Sequence, residues 1–238
     1  MGATAARVKF RDSGGEAAHS DLANVALADL AASRPWRTFR WHRGQAHFSG
    51  WYWAATMRQH VVYESRFELA RLMLADFDPQ IVAIAAQPFC LTASVKGKER
   101  THVPDFLLLD GAGAVSVVNV KPAHRLADPR VAESLGWAGA VFAQQGWRHE
   151  IWSGAPTVLL SNVRSLAAYR DPARIDAALV AELTDALVGP VSLGEVERAW
   201  PSRNGQTRVA VLHLVWRGLL RADLLAPLSS ETVLERAA

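Results

Sequence analysis

The chain has 238 residues, half of them hydrophobic and 21% charged, with a formal net charge of +3; this excludes a globally disordered chain and fits one large domain or two small ones. The mild positive balance permits a nucleic-acid partner without requiring one. Cys90 is the sole cysteine, which excludes an intrachain disulfide and a cysteine-built zinc site; with no apolar run near the ~18 residues of a membrane helix and no signal peptide, a soluble cytoplasmic protein with no membrane partner is expected.

Residues 1–20 are small, polar and glycine-containing and read as a loose arm. Residues 21–32 carry Leu22, Val25, Leu27 and Leu30 at helical spacing, and Pro35 stops the pattern. Residues 36–56 mix aromatics (Trp36, Phe39, Trp41, Phe48, Trp51, Tyr52, Trp53) with Arg37, Arg40 and Arg43. Gly44 marks a turn between two extended pieces. Two readings stand side by side: a hairpin whose aromatics cover the core, or a basic aromatic surface on a DNA backbone in which Arg37, Arg40 and Arg43 touch phosphates.

Residues 63–75 read as a helix with a broad apolar face. Residues 81–84 and 89–95 read as strands. Residues 102–109 and 115–120 form an antiparallel hairpin around the Asp110-Gly111-Ala112-Gly113 turn. Residues 132–145 then read as a helix and 149–152 as a short strand. This order gives an α/β or α+β sheet flanked by helices. Residues 156–169 read as a link, followed by helices over 175–188, 193–200 and 209–217 and a segment at 219–224. Short helices followed by a small β element suit a winged helix-turn-helix, a DNA-binding or protein-docking module. The expected division is therefore 1–35, 36–155 and 156–238.

The hairpin carries the most informative residues. A turn centred near Ala112 sets Asp105 opposite Asn119, and Asn119 and Lys121 share a face because strand side chains alternate. Phosphodiester cleavage needs a divalent cation held by oxygen ligands, and Mg²⁺ takes carboxylates, carbonyls and water. Asp105 offers a carboxylate and Asn119 a neutral oxygen, while Lys121 offers positive charge for an anionic transition state. The missing carboxylate comes from the preceding helix, where Glu64 and Glu68 share a face one turn apart. Either one can point to the hairpin. Ser65 followed by Glu68 is also a helix-capping box, the blander role for that carboxylate.

Taken together, these segments resemble the PD-(D/E)xK nuclease superfamily and, within it, the TnsA family of heteromeric transposase endonucleases. The resemblance runs from Tyr63-Glu64-Ser65-Arg66-Phe67-Glu68 through Asp76-Phe77-Asp78-Pro79 and Gln87-Pro88-Phe89. It continues to His102-Val103-Pro104-Asp105-Phe106 and Val118-Asn119-Val120-Lys121-Pro122, with a less specific match at 211–218. It implies a restriction-endonuclease-like mixed sheet flanked by helices and a C-terminal winged-helix-like domain. It also implies an Mg²⁺-dependent endonuclease, with Mn²⁺ as a substitute, that cuts the 5′ strands of double-stranded DNA at transposon ends. The implied partners are a DDE transposase subunit and an ATP-dependent regulator. Glu68, Asp105 and Lys121 would be catalytic, and Glu68, Asp105, Asn119 and the Val120 carbonyl would hold the metal. Glu64, Gln87 and His102 stand in reserve or behind the ligands. Asn119 occupies a place where the superfamily usually has Asp or Glu, which removes one negative charge. The alternatives are a free-standing nuclease of restriction or repair type, or a DNA-binding or assembly subunit without activity.

Overall fold

The computed structural model describes residues 6–37, 48–202 and 205–237. The chain divides into two compact units, Met1–Ala75 with Gln80–Gly154, and Asp76–Pro79 with Ala155–Ala238.

The first unit opens with strands β1 (Arg7–Arg11) and β2 (Ala17–Asp21) and helix α1 (Leu27–Ala31). Residues expected to be a loose arm are thus a hairpin, and the helix expected over 21–32 shrinks to five residues. The reason is non-local. Val8 and Phe10 alternate inward along β1, and β1 pairs with strand β6, some 80 residues later. Local composition carries no trace of that partner.

Strands β3 (Gly50–Ala54) and β4 (Gln59–Tyr63) form a two-stranded ribbon that leads into helix α2 (Arg66–Phe77). Tyr63, expected to open the helix, instead ends β4 opposite Gly50. A Cβ at Gly50 would lie 2.5 Å from the Tyr63 hydroxyl, so this approach needs glycine. The turn expected at Gly44, together with Phe39, Arg40, Trp41 and Arg43, lies outside the described residues. Of the aromatics that are described, Tyr52 is buried while Trp51 is exposed, so the ribbon has one packed face.

Next come β5 (Ile81–Ala86), β6 (Cys90–Val95), β7 (Lys98–His102), β8 (Phe106–Asp110) and β9 (Val115–Val120). The continuous strand expected over 102–109 breaks at residues 103–105, where Pro104 has no N–H to give a ladder. The β8–β9 turn forms as expected: Asp110 Oδ1 accepts from the N–H of Ala112 (2.9 Å) and Ala114 (2.7 Å). Helices α3 (Ala123–Leu126) and α4 (Pro129–Gln144) and strand β10 (Arg148–Trp152) complete the unit. Asp128 caps α4 ahead of a proline at its first position, so this helix begins three residues before its apolar periodicity does.

These strands make two four-stranded sheets, ordered β2-β1-β6-β7 and β10-β9-β8-β5. The second is mixed: β10 runs parallel to β9, and the other pairings are antiparallel. Phe89, Leu91, Leu107, Val117, Ala138 and Phe142 join both sheets and α4 in one buried core. The result is the mixed α/β arrangement anticipated from the element order.

The second unit contains α5 (Thr157–Leu166), two short 3₁₀ turns, α6 (Ala177–Ala186), β11 (Val191–Ser192), α7 (Leu193–Ala199), α8 (Gln206–Trp216), β12 (Leu220–Arg221) and β13 (Val233–Arg236). Residues expected to be a plain link over 156–169 are mostly helical, because Val163 and Leu166 bury one face. Ser192 and Glu195 form a reciprocal capping box at the start of α7. The three short strands form a sheet ordered β11-β13-β12. Among the described residues no helix is long and apolar enough to cross a membrane.

Candidate active site

The β8–β9 register ends at the Phe106–Val118 pair, and Asp105 lies directly before it. Asp105 is tied at several points. Its N–H donates to Val118 O (3.0 Å) and its carbonyl accepts from the Gln87 N–H (2.9 Å). Its Oδ2 accepts from the Val120 N–H at 2.6 Å and from Lys121 Nζ at 3.1 Å. Lys121 Nζ also donates to the Val120 carbonyl at 3.0 Å, and the Lys121 N–H donates to Trp152 O on β10 (2.9 Å).

Helix α2 brings the second carboxylate. Arg71 grips Glu150 of β10 with two parallel bonds of 2.9 Å each, and Phe67 packs on Trp152 with ring centroids 4.6 Å apart. These contacts fix the first turn of α2 beside the end of β9. Glu68 and Glu64 line a cleft of about 530 Å³ together with Asp105, Asn119 and Lys121. The capping role weighed for Glu68 is also visible. The Ser65 hydroxyl accepts from the Glu68 N–H (3.0 Å) and donates to Oε1 (3.2 Å), while Oε2 accepts from the Glu64 N–H (2.8 Å). Glu64 turns instead to Arg37, at 3.5 Å.

Burial and then the nearby Asp105 carboxylate push the Glu68 carboxyl up to about 7, against the lowering effect of the Glu64 N–H. A buried carboxyl raised further by a second carboxylate in the same cleft has electrostatics that a cation would relieve. The oxygens fit one as well, because the Lys121 ammonium already bridges Asp105 Oδ2 and the Val120 carbonyl. Among the described residues no three His, Cys, Asp or Glu side chains converge. A cation here would therefore draw on Glu68, Asp105, the Val120 carbonyl and water, an all-oxygen set of the kind Mg²⁺ accepts.

Gln87 and His102 sit behind these groups. Gln87 is buried with φ +46°, a costly conformation for a side chain of this kind. Its Oε1 accepts from the Arg37 N–H (3.2 Å) and its carbonyl from the Trp36 N–H (3.0 Å), so this one residue anchors both Arg37 and Asp105. His102 and His149 each place Nε2 3.0 Å from Asn119 Oδ1. Burial lowers the pKa of both imidazoles; for His102 the Asn119 contact and Asp105 oppose it, and for His149 the neighbouring His102 adds to it.

His149, Arg125 and Arg130 were not anticipated as site residues. Arg125 and Arg130 line the cleft from the α3–α4 segment directly after Lys121, and their nearness in sequence to the hairpin motif was the available signal. His149 reaches Asn119 only through the parallel β9–β10 pairing, for which no local signal exists. Arg40 and Arg43 lie outside the described residues.

Residues 78–154 match a family model described as TnsA-like endonuclease N terminal. The matched span runs from β5 through β10 and includes Asp105, Asn119 and Lys121 but not Glu68. No curated protein matches this chain.

Proposed function

We propose that this chain, a TnsA-like nuclease by its residues 78–154, is the subunit of a heteromeric transposase that hydrolyses the 5′ strand of double-stranded DNA at transposon ends. The observation that carries this reading is the convergence of Glu68 and Asp105 on a cleft with Lys121, one carboxyl pushed up to about 7 by burial and by the other. A carboxyl raised by burial and by a neighbouring carboxylate, and lying in a cleft, marks a candidate functional site.

Glu68, Asp105 and the Val120 carbonyl would hold Mg²⁺ or Mn²⁺. The bound cation would supply Lewis-acid polarisation of the phosphate and an acidified water. Asp105 orients Lys121 through Oδ2, so the ammonium faces the cleft where negative charge develops at the phosphorus. Glu68 would be held ionised by a bound cation, against the burial and the Asp105 repulsion that raise its carboxyl. Arg37, Arg125 and Arg130 surround the two carboxylates with positive charge, which offsets their repulsion of a DNA backbone.

The second unit supports a partnered role. Its order α6-β11-α7-α8-β12-β13 is that of a winged helix, which we take it to be. Residues 210–216 of α8, the helix in the position that reads DNA in such folds, are all buried. A helix whose free surface is confined to its first turn, where Gln206 is exposed and Arg208 and Val209 are half-buried, suits partner docking better than lying along a groove. The DDE transposase subunit and the ATP-dependent regulator are the proposed partners.

The test combines the purified chain, end-labelled transposon-end duplex, the cognate transposase and regulator proteins, ATP and Mg²⁺. Scission of the 5′ strand that disappears with Asp105→Asn supports the assignment. Scission that persists with Asp105→Asn refutes it. Scission of arbitrary DNA by the chain alone favours a free-standing nuclease.

A further inference from the structure

Two imidazoles meet the side-chain oxygen of Asn119. The residue is 1% exposed, and its Oδ1 meets His102 Nε2 and His149 Nε2, each at 3.0 Å. His102 is held in turn by Ser134 Oγ at Nδ1 (3.3 Å) and by edge-on contacts with Trp137 and Phe142. His149 packs edge-on against Phe142 and over α4 at Gly139, where a Cβ would come 2.5 Å from Nδ1. A glycine inside a 16-residue helix costs stability, and here it makes room for the ring that reaches Asn119.

The hydrogen-bond inventory of these groups is restrictive. A neutral imidazole carries one N–H, and an amide oxygen has two lone pairs. Two rings that both donate through Nε2–H therefore saturate the oxygen, and His102 Nδ1 is left to accept from the Ser134 hydroxyl. An oxygen filled in this way has no lone pair for a cation. The amide is planar, so its NH₂ points away from the two rings. Among the described residues it makes no hydrogen bond, and Asn119 lines the cleft with Asp105, Lys121 and Arg130.

We propose that Asn119 is a hydrogen-bond donor to a phosphate oxygen of the bound DNA strand, not a cation ligand, and that His102 and His149 are positioning residues that hold its amide in this orientation. The donor role rests on the nuclease reading; the orientation itself does not. An amide in this clamp offers an N–H to an anion where an Asp would offer repulsion.

The ¹⁵N spectrum of the histidine-labelled full chain, without DNA or metal, reads the orientation directly. Nε2–H tautomers on both His102 and His149 are expected. An Nδ1–H tautomer on either ring means that Nε2 accepts and the amide is reversed, which overturns the proposal. Asn119→Ala should leave Mn²⁺ affinity within about twofold of wild type and weaken binding of a short duplex in Ca²⁺ about tenfold, as expected for a lost hydrogen bond to a charged group. A drop in Mn²⁺ affinity of about tenfold would make Asn119 a ligand and refute the donor role. Should Asn119→Ala not fold, the wild-type tautomers still decide the matter. Nε2–H rings on a chain with no affinity for the duplex refute the donor role and the nuclease reading together. Nδ1–H rings on a chain that binds the duplex refute the donor role alone.

Discussion

Lys121 Nζ lies 3.1 Å from Asp105 Oδ2 and, at 3.0 Å, also meets the carbonyl of the residue before it. One ammonium thus bridges two oxygens that the proposed cation would use, and on that reading the lysine would turn to the substrate when a cation takes its place. Lys121→Ala should then cut the single-turnover cleavage rate about 100-fold or more while DNA affinity, read by gel shift in Ca²⁺, changes by about fivefold at most. A loss that is equal in both would recast the lysine as a phosphate anchor.

Asp105→Asn separates chemistry from folding. The amide oxygen can still accept from the Val120 N–H, so unfolding by urea should shift by about 1 kcal/mol or less, whereas Asp105→Ala strands that N–H and should cost about 1–3 kcal/mol. Both variants should lose cleavage. A destabilisation by Asp105→Asn as large as that by Asp105→Ala would mean that the charge itself holds the hairpin end.

Glu68 links the site to global stability. Its carboxyl rises from 4.5 to about 7 on folding, so the native state binds more protons than the unfolded chain between those values. The contribution of Glu68 is therefore fully present below pH ~4.5 and is lost as pH rises through about 7, by about 3 kcal/mol in all, while the lowered imidazoles of His102 and His149 act in the opposite sense below their ordinary 6.5. Urea denaturation at pH 5, 6, 7 and 8 should follow this decline in metal-free buffer, and Glu68→Gln should flatten it. Added Mg²⁺ should restore stability to wild type at pH 8 but not to Glu68→Gln. A wild-type profile that declines no more steeply than that of Glu68→Gln would contradict the burial and proximity assigned to Glu68.

The hairpin of Asp105 and Lys121 was legible because its cause is local. Val115, Val117, Val118 and Val120 favour a strand, the Asp110–Gly113 turn fixes the register, and the register fixes which side chains face each other. The helical carboxylate was only half legible. The spacing puts Glu64 and Glu68 one turn apart on one helix face, whereas Glu64 precedes α2 and meets Arg37, and only Glu68 stands on the helix beside Asp105. Gln87 and His149 were opaque in role for a different reason. The φ of Gln87 and the parallel β9–β10 pairing are imposed by tertiary packing, as is the burial of Val8 and Phe10 that turns an apparently loose arm into strand β1. Asn119 was open in a more specific way: its residue type permits either a donor or an acceptor toward the cleft, and its imidazole partners, His102 and His149, come from elements that only the tertiary fold brings together.

Arg125 and Arg130 offer the last test, because their role is electrostatic and should leave a salt signature. Both line the cleft around Asp105, and neither carries a site carboxylate as its ion-pair partner, in contrast with Arg37, which meets Glu64 at 3.5 Å. Each phosphate neutralised by an arginine releases condensed counterions, so the slope of log affinity against log salt should fall by about one for each arginine removed. Arg125→Ala and Arg130→Ala, measured by fluorescence anisotropy on duplex DNA from ~50 to 200 mM salt, should show this fall singly and about twice this fall together. The loss should be uniform across DNA sequences, since phosphate contacts carry no base information. Affinity that drops with an unchanged salt slope would show instead that these arginines shape the α3–α4 segment and do not meet the backbone.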